Sequence, residues 1–353
     1  MRAYLCGGPF AISLYLKFIA KGFIHWEFTG NGARDRRSGK GTREMEEQSG
    51  ASFLGAVVDG LVSLVVNLGL GFWHIIYAIS HPGLWLDWSN KESLLRFVYY
   101  GGSKELLFVF FDVVIVITLI GFLYRPFLWA LVRGLEKIAN TAGRVAAWAG
   151  LLMVLQQIMV VFLQSVFRQG EITLSPFGGG FTQSVGWFSE SLKFENALVV
   201  ALCVSYAFVQ GAHVRVDLVY AGVKHRTKRA IDMFGSLFFM LPVALLTWMY
   251  AWFFLWRHLI TPKVSASDAL DRMLMKARIV KWNVETISFS ANGFNGYFLF
   301  KILMLCFIAL VILQALAFFY RSYLEFIEGE ESAGKYLDKD TLGEGEEAYE
   351  GTH

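Results

Sequence analysis

Ala197-Leu-Val-Val-Ala-Leu-Cys-Val-Ser-Tyr-Ala-Phe-Val209 is an apolar run that empties into Gln210-Gly-Ala-His-Val-Arg-Val-Asp-Leu218. Extended by Phe194, Glu195 and Asn196 into the headgroup region, the run has the length and composition of a membrane-spanning helix. Leaving the lipid at Gly211 and meeting an alternating Val-Arg-Val-Asp puts fixed charges at a water interface, where they cost little. The charges therefore mark an edge and not a buried catalytic pocket. With strand-like alternation, His213, Arg215 and Asp217 share one side and Val214 and Val216 the other. Such a set fixes the turn between two spans, or binds lipid headgroups and a partner subunit.

Composition places this junction in a polytopic membrane protein. Of 353 residues, 55% are hydrophobic and 16% aromatic, and the mean hydropathy is +0.47, well above that of a chain that must cover its core with polar surface. Six segments are long and apolar enough to span: Phe53 to Ile79, Leu106 to Tyr124, Val145 to Val166, Ala197 to Gly211, Ile231 to Trp256 and Tyr297 to Tyr320. The expected fold class is all-α, an integral membrane protein of about six transmembrane helices with interfacial amphipathic helices. A formal charge of +3 is too small to argue for nucleic acid, and Lys and Arg fall mainly between apolar blocks, as topology alone would place them.

Inverting direction at each span, with the amino terminus inside, puts 20 Lys/Arg on the inner side and 11 on the outer. Leaving out everything before Met45 reduces this to 12 against 11, so the short loops decide. Lys224-His-Arg-Thr-Lys-Arg229 is a compact basic cluster of the kind that retains a loop in the cytoplasm. The expected location is the bacterial inner membrane, with both termini cytoplasmic.

Residues 1–52 read as a polar amino-terminal region. The patch from Ala3 to Leu16 is too short to span and lacks a small-residue cleavage site, and Gly30 to Gly50 has the composition of a disordered linker. The functional chain is expected to begin at Met45. Phe127 to Ile138, following Pro126, has apolar positions at helical spacing and predicts an interfacial helix on the inner face, and Asp268 to Ile279 predicts another on the outer face. Residues 329–353 are acidic and without apolar periodicity, which predicts a disordered, solvated tail.

Motifs for catalysis are missing from the sequence. There is no Gly-x-x-x-x-Gly-Lys-Ser/Thr loop, no His-Glu-x-x-His and no Gly-x-Ser-x-Gly, and Gly178-Gly-Gly180 reads as a flexible turn after Pro176. Cys6, Cys203 and Cys306 sit in apolar sequence without a pair spacing or a neighbouring histidine. No enzymatic activity, cofactor, metal, catalytic residue or substrate-binding residue is expected. Two acids fall inside spans, Asp59 in the first and Asp112 in the second. They are either a proton or cation relay, or groups paired or protonated at helix contacts. Gln156, Gln157, Gln164 and Gln314 read as packing glutamines, Trp148, Trp187, Trp248, Trp252 and Trp256 as interfacial anchors, and Lys301 as a snorkelling lysine.

Trp187-Phe-Ser-Glu190 lies ahead of the opening stretch, with Lys193 one helical turn after Glu190, within reach of a surface ion pair. These residues and their spacing to His213, Arg215 and Asp217 resemble the small permease subunit of the tripartite ATP-independent periplasmic (TRAP) transporters. That family's pattern runs Trp-Ser-Glu-Glu, an apolar helix, then Gly-Gly-His-Ile-Arg-Val-Asp. Ser189 stands where the family usually has its first glutamate, and Ala212 replaces the second glycine. The resemblance assigns residues 127–328 to a four-span region and leaves residues 53–126 as an additional pair of spans. It implies a scaffold without its own solute site, partnered by a large many-helix permease and a periplasmic solute-binding protein and embedded in membrane lipid, in a secondary transporter that takes up an organic acid or related solute by symport. The rival reading is a self-sufficient small carrier or channel whose pathway uses Asp59 and Asp112.

Overall fold

The computed structural model of the chain describes residues 41–174, 181–211, 222–288, 290 and 293–338. The chain falls into two units, 1–70 and 71–353. Helix α1 (Gly41–Ser80) runs from the first into the second. It is helical from Gly41, and its stretch long and apolar enough to span is Val57–Ser80; residues 30–40 of the expected linker lie outside the described residues. Within the first unit most of its described apolar side chains, such as Val58, Val62 and Val65, are exposed, as is Asp59.

In the second unit, α2 (Gly83–Leu86), α3 (Lys91–Tyr100) and α4 (Lys104–Leu123) precede α5 (Arg125–Val161). Local signals set their starts. Asn90 accepts the Glu92 N–H ahead of α3, and Ser103 accepts the Leu106 N–H ahead of α4. Proline at the first turn opens α5. The segment from Phe127 to Ile138 is therefore no separate interfacial helix: with the π-turn Phe162–Val166 it belongs to a 42-residue helical stretch that includes the third span. A short antiparallel hairpin, β1 (Glu171–Leu174) with β2 (Phe181–Ser184), leads into α6 (Val185–Gln210), whose amino terminus is capped by Ser184 and which ends at left-handed Gly211, φ 78°.

After α7 (His225–Gly235), a π-turn over Ser236–Met240 absorbs Pro242, whose ring and missing N–H obstruct regular helix, and α8 (Leu241–Leu259) continues. Strands β3 (Ile260–Thr261) and β4 (Lys281–Trp282) pair across a loop holding α9 (Leu270–Met275) and a 3-10 turn, Ala277–Ile279, where the sequence predicts an interfacial helix. The last described α-helix is α10 (Tyr297–Glu328). Among the described residues the fold is thus predominantly helical, with two short antiparallel strand pairs in the loops.

Among the described residues, six helical stretches are long and apolar enough to cross a membrane. In α10, 39% of the apolar window is buried, against 6–22% in the other five, which makes it the central helix. It packs on α5, α6, α7 and α8. Leu128 and Val132 of α5, Leu241 of α8 and Ala315, Tyr320 and Leu324 of α10 form the main core and are fully buried. The large apolar side chains left outside, among them Leu119, Phe122, Trp148 and Leu152, suit a hydrocarbon surrounding, and helices satisfy their own backbone there.

Candidate functional site

The sequence-predicted residues are Trp187, Glu190, Lys193, His213, Arg215, Asp217, Asp59 and Asp112. Three of them, His213, Arg215 and Asp217, lie outside the described residues. Trp187, Glu190 and Lys193 occupy the first turns of α6, and two of these converge on one loop. Glu190 accepts the backbone N–H of Phe294 through Oε2 at 3.0 Å. The Trp187 ring meets the Phe294 ring edge-on at 5.5 Å, while Phe194, about two turns along, stacks on the same ring at 5.9 Å. Gly293 makes room for this: a Cβ there would overlap the Glu190 carboxylate. The motif thus clasps the segment that feeds α10.

Lys193 follows Glu190 by three residues on α6. It is exposed and lines a groove of about 430 Å³ with Met153, Gln157, Leu192 and Asn196 between α5 and α6. The same two helices are tied by Gln156, whose amide donates to the Phe188 carbonyl at 2.9 Å and to Ser191 Oγ at 2.6 Å. Lys301, expected to snorkel, is instead 3% exposed, lying 3.8 Å from Glu285 and over the rings of Tyr297 and Phe254.

Of the two intramembrane acids, Asp59 is exposed and Asp112 is fully buried. Neither carboxyl oxygen of Asp112 has a hydrogen-bond partner among the described residues. Its side chain fills the place a Cβ would take at Gly71, so α1 and α4 meet closely at this point. Enclosing a polar group in this way is costly, and the glycine opposite is what gives it room.

At the opposite end, where α5 begins and α10 finishes, the structure contains a charged cluster absent from the sequence expectations. Arg321 of α10 grips Glu136 of α5 through Nε–Oε1 at 2.5 Å and Nη2–Oε2 at 2.6 Å. Arg229 of α7 bridges Glu325 at 2.5 Å and Asp232 at 3.2 Å. Residues 329–338 turn back over these groups. The Lys335 carbonyl accepts from Arg321 Nη1 at 3.1 Å, the Gly334 N–H donates to Glu325 Oε1 at 3.3 Å, and the Asp338 carbonyl accepts from fully buried Asn140 at 2.8 Å. Gln210, the last residue of α6, donates to the Asn140 side chain and to that same Asp338 carbonyl. The start of the region read as a solvated tail is therefore hydrogen-bonded to the helices as far as Asp338, with most of its side chains exposed; residues 339–353 lie outside the described residues.

Glu136 and Asn140 are detectable from their spacing. They belong to the stripe Leu128, Val132, Glu136, Ala139, Asn140 and Gly143, which repeats every three to four residues with a single adjacent step and is buried throughout. Polar residues within an apolar stripe signal partners from another element.

Comparison of the chain with protein-family models, curated proteins and solved structures gives no match. The fold itself defines the class: a helical, multi-pass membrane protein.

Proposed function

We propose that the chain is the small membrane subunit of a TRAP-type secondary transporter, a scaffold that holds a large permease while that partner moves a solute. In this reading residues 127–328 form the scaffold proper, and a periplasmic binding protein delivers an organic acid or related solute for ion-coupled uptake at the inner membrane. The observation that carries it is the use made of the motif. Trp187 and Glu190 spend their ring and carboxylate on Phe294, within the chain, where they fix the entry to the central helix. A frame against which a partner slides needs rigid internal joints of this kind. The ionic joint of Glu136 with Arg321 supplies another at the far end. The exposed apolar face of α5 and the Lys193 groove offer the partner's docking side.

A self-sufficient carrier is the second reading, and buried Asp112 favours it, since an enclosed acid without a hydrogen-bond partner among the described residues suits a proton relay. Asp112→Asn separates the two. In cells whose uptake of a labelled organic acid depends on this chain, the scaffold reading expects transport to persist in Asp112→Asn. Loss of transport with normal amounts of folded protein would favour the carrier.

A further inference from the structure

A cavity of about 440 Å³ opens in the second unit between the end of α1, α3, the start of α4 and α8. One wall is continuous aromatic surface. Trp85 stacks on Phe97 at 6.3 Å, Phe97 meets Trp252 at 5.4 Å, and Trp252 stacks on Trp248 at 5.7 Å. All three indole N–H groups are already committed to backbone carbonyls: Trp85 to Ala78, Trp248 to Gly101 and Trp252 to Val98, at 3.1, 3.1 and 2.8 Å. The wall therefore offers aromatic rings and no free indole donors, and aromatic rings attract a cation.

Two charged side chains line the same cavity. Glu105, in the first turn of α4, where the helix dipole favours a carboxylate, has its Oε2 buried with no hydrogen-bond partner among the described residues. Arg96 of α3 supplies a cation on the same lining. The remaining lining is mostly apolar, and Leu106 and Val109 carry it one turn down α4 into the second span. A buried carboxylate oxygen beside an aromatic wall calls for an ammonium that can donate to it. An arginine nearby calls for a phosphate, and the apolar arm calls for hydrocarbon.

We infer that this cavity is a site for a zwitterionic glycerophospholipid of the phosphoethanolamine type, its ammonium between Glu105 and the tryptophan wall, its phosphate at Arg96 and an acyl chain along Leu106 and Val109. This inference is independent of the transporter reading. The size and lining suit a headgroup and the upper part of a chain, and the position at the head of a span is where a lipid's polar and apolar parts meet. A soluble zwitterion would leave the apolar arm unused, so the lipid is the source that fits.

Native mass spectrometry of the full chain in nanodiscs holding equal phosphatidylethanolamine and phosphatidylglycerol tests it. The wild-type protein should retain phosphatidylethanolamine in preference by about tenfold, the scale of one desolvated cation contact. Glu105→Gln should abolish that preference while leaving phosphatidylglycerol retention unchanged, and Arg96→Gln should weaken both lipids. Val109→Trp, which fills the apolar arm and leaves both charges in place, should exclude both and keeps the test open if a charge variant fails to fold. Equal retention of the two lipids by the wild type, or an undiminished preference in Glu105→Gln, would overturn the proposal. So would competition by soluble phosphoethanolamine as effective as that of the lipid.

Discussion

Arg321 and Glu136, 185 residues apart, are joined side-on by two parallel contacts of 2.5 and 2.6 Å, both side chains nine-tenths or more buried. The pair ties the finish of the central helix α10 to the first half of α5. Bidentate geometry gives it direction as well as energy. Truncating one partner strands the other's charge, which costs about 3–5 kcal/mol, so Glu136→Ala and Arg321→Ala should each lower the thermal midpoint of the detergent-purified protein by many degrees. The double variant Glu136→Met/Arg321→Met, which removes both charges and keeps much of the volume, should lose less than either alanine variant. A double variant that loses the sum of the two would show that the groups act separately.

Residues 330–338 belong to this joint. A chain ending at Gly329 lacks the Lys335 carbonyl on Arg321, the Gly334 N–H on Glu325 and the Asp338 contacts of Asn140 and Gln210, whereas a chain ending at Asp338 keeps all of them. The shorter chain should unfold at a lower temperature than the longer one, by an amount corresponding to several lost hydrogen bonds at about 1 kcal/mol each. Equal midpoints would mean that the returning segment adds nothing.

How far the sequence reveals this architecture depends on the kind of signal. Six spans follow from apolar runs, because hydrocarbon admits only self-satisfied helix over such lengths. Trp187 and Glu190 are identifiable from spacing, but their partner Phe294 is not, since a backbone N–H 104 residues away leaves no mark in composition. Arg321 and Glu325 follow directly on the last apolar run, which ends at Tyr320, and charge alone cannot distinguish water from a buried counter-ion. Only the stripe through Glu136 and Asn140 indicates where those charges go. The helix of α5 passes through a stretch that amphipathicity reads as interfacial, because continuity of backbone hydrogen bonds carries no sequence pattern of its own.

The clasp at the other end makes a coupled prediction. Gly293→Ala pushes the Glu190 carboxylate off the Phe294 N–H, so it should cost about 1–3 kcal/mol, the range for stranding a buried donor and straining a packed contact. Glu190→Ala removes the same bond by another route. In the double variant the two costs should overlap, leaving a midpoint close to that of the worse single change. Additive losses would place Gly293 and Glu190 in separate roles.

Gly71 and Asp112 form the close approach of α1 and α4, and Gly71→Ala should destabilise that contact by about 1–3 kcal/mol through overpacking. Asp112→Ala removes the group that the new methyl would strike, so Gly71→Ala should be better tolerated on that background. Thermal unfolding of the three variants measures the difference. A Gly71→Ala penalty unchanged by Asp112→Ala would contradict the contact.

A scaffold for a larger membrane partner must hold that partner, and co-purification measures this directly. Tagged full-length protein, extracted from its native membrane in mild detergent and identified by mass spectrometry, should bring down one large, many-span hydrophobic permease in a fixed ratio. Recovery of the chain alone, under conditions in which it remains folded and monodisperse, would contradict the scaffold role.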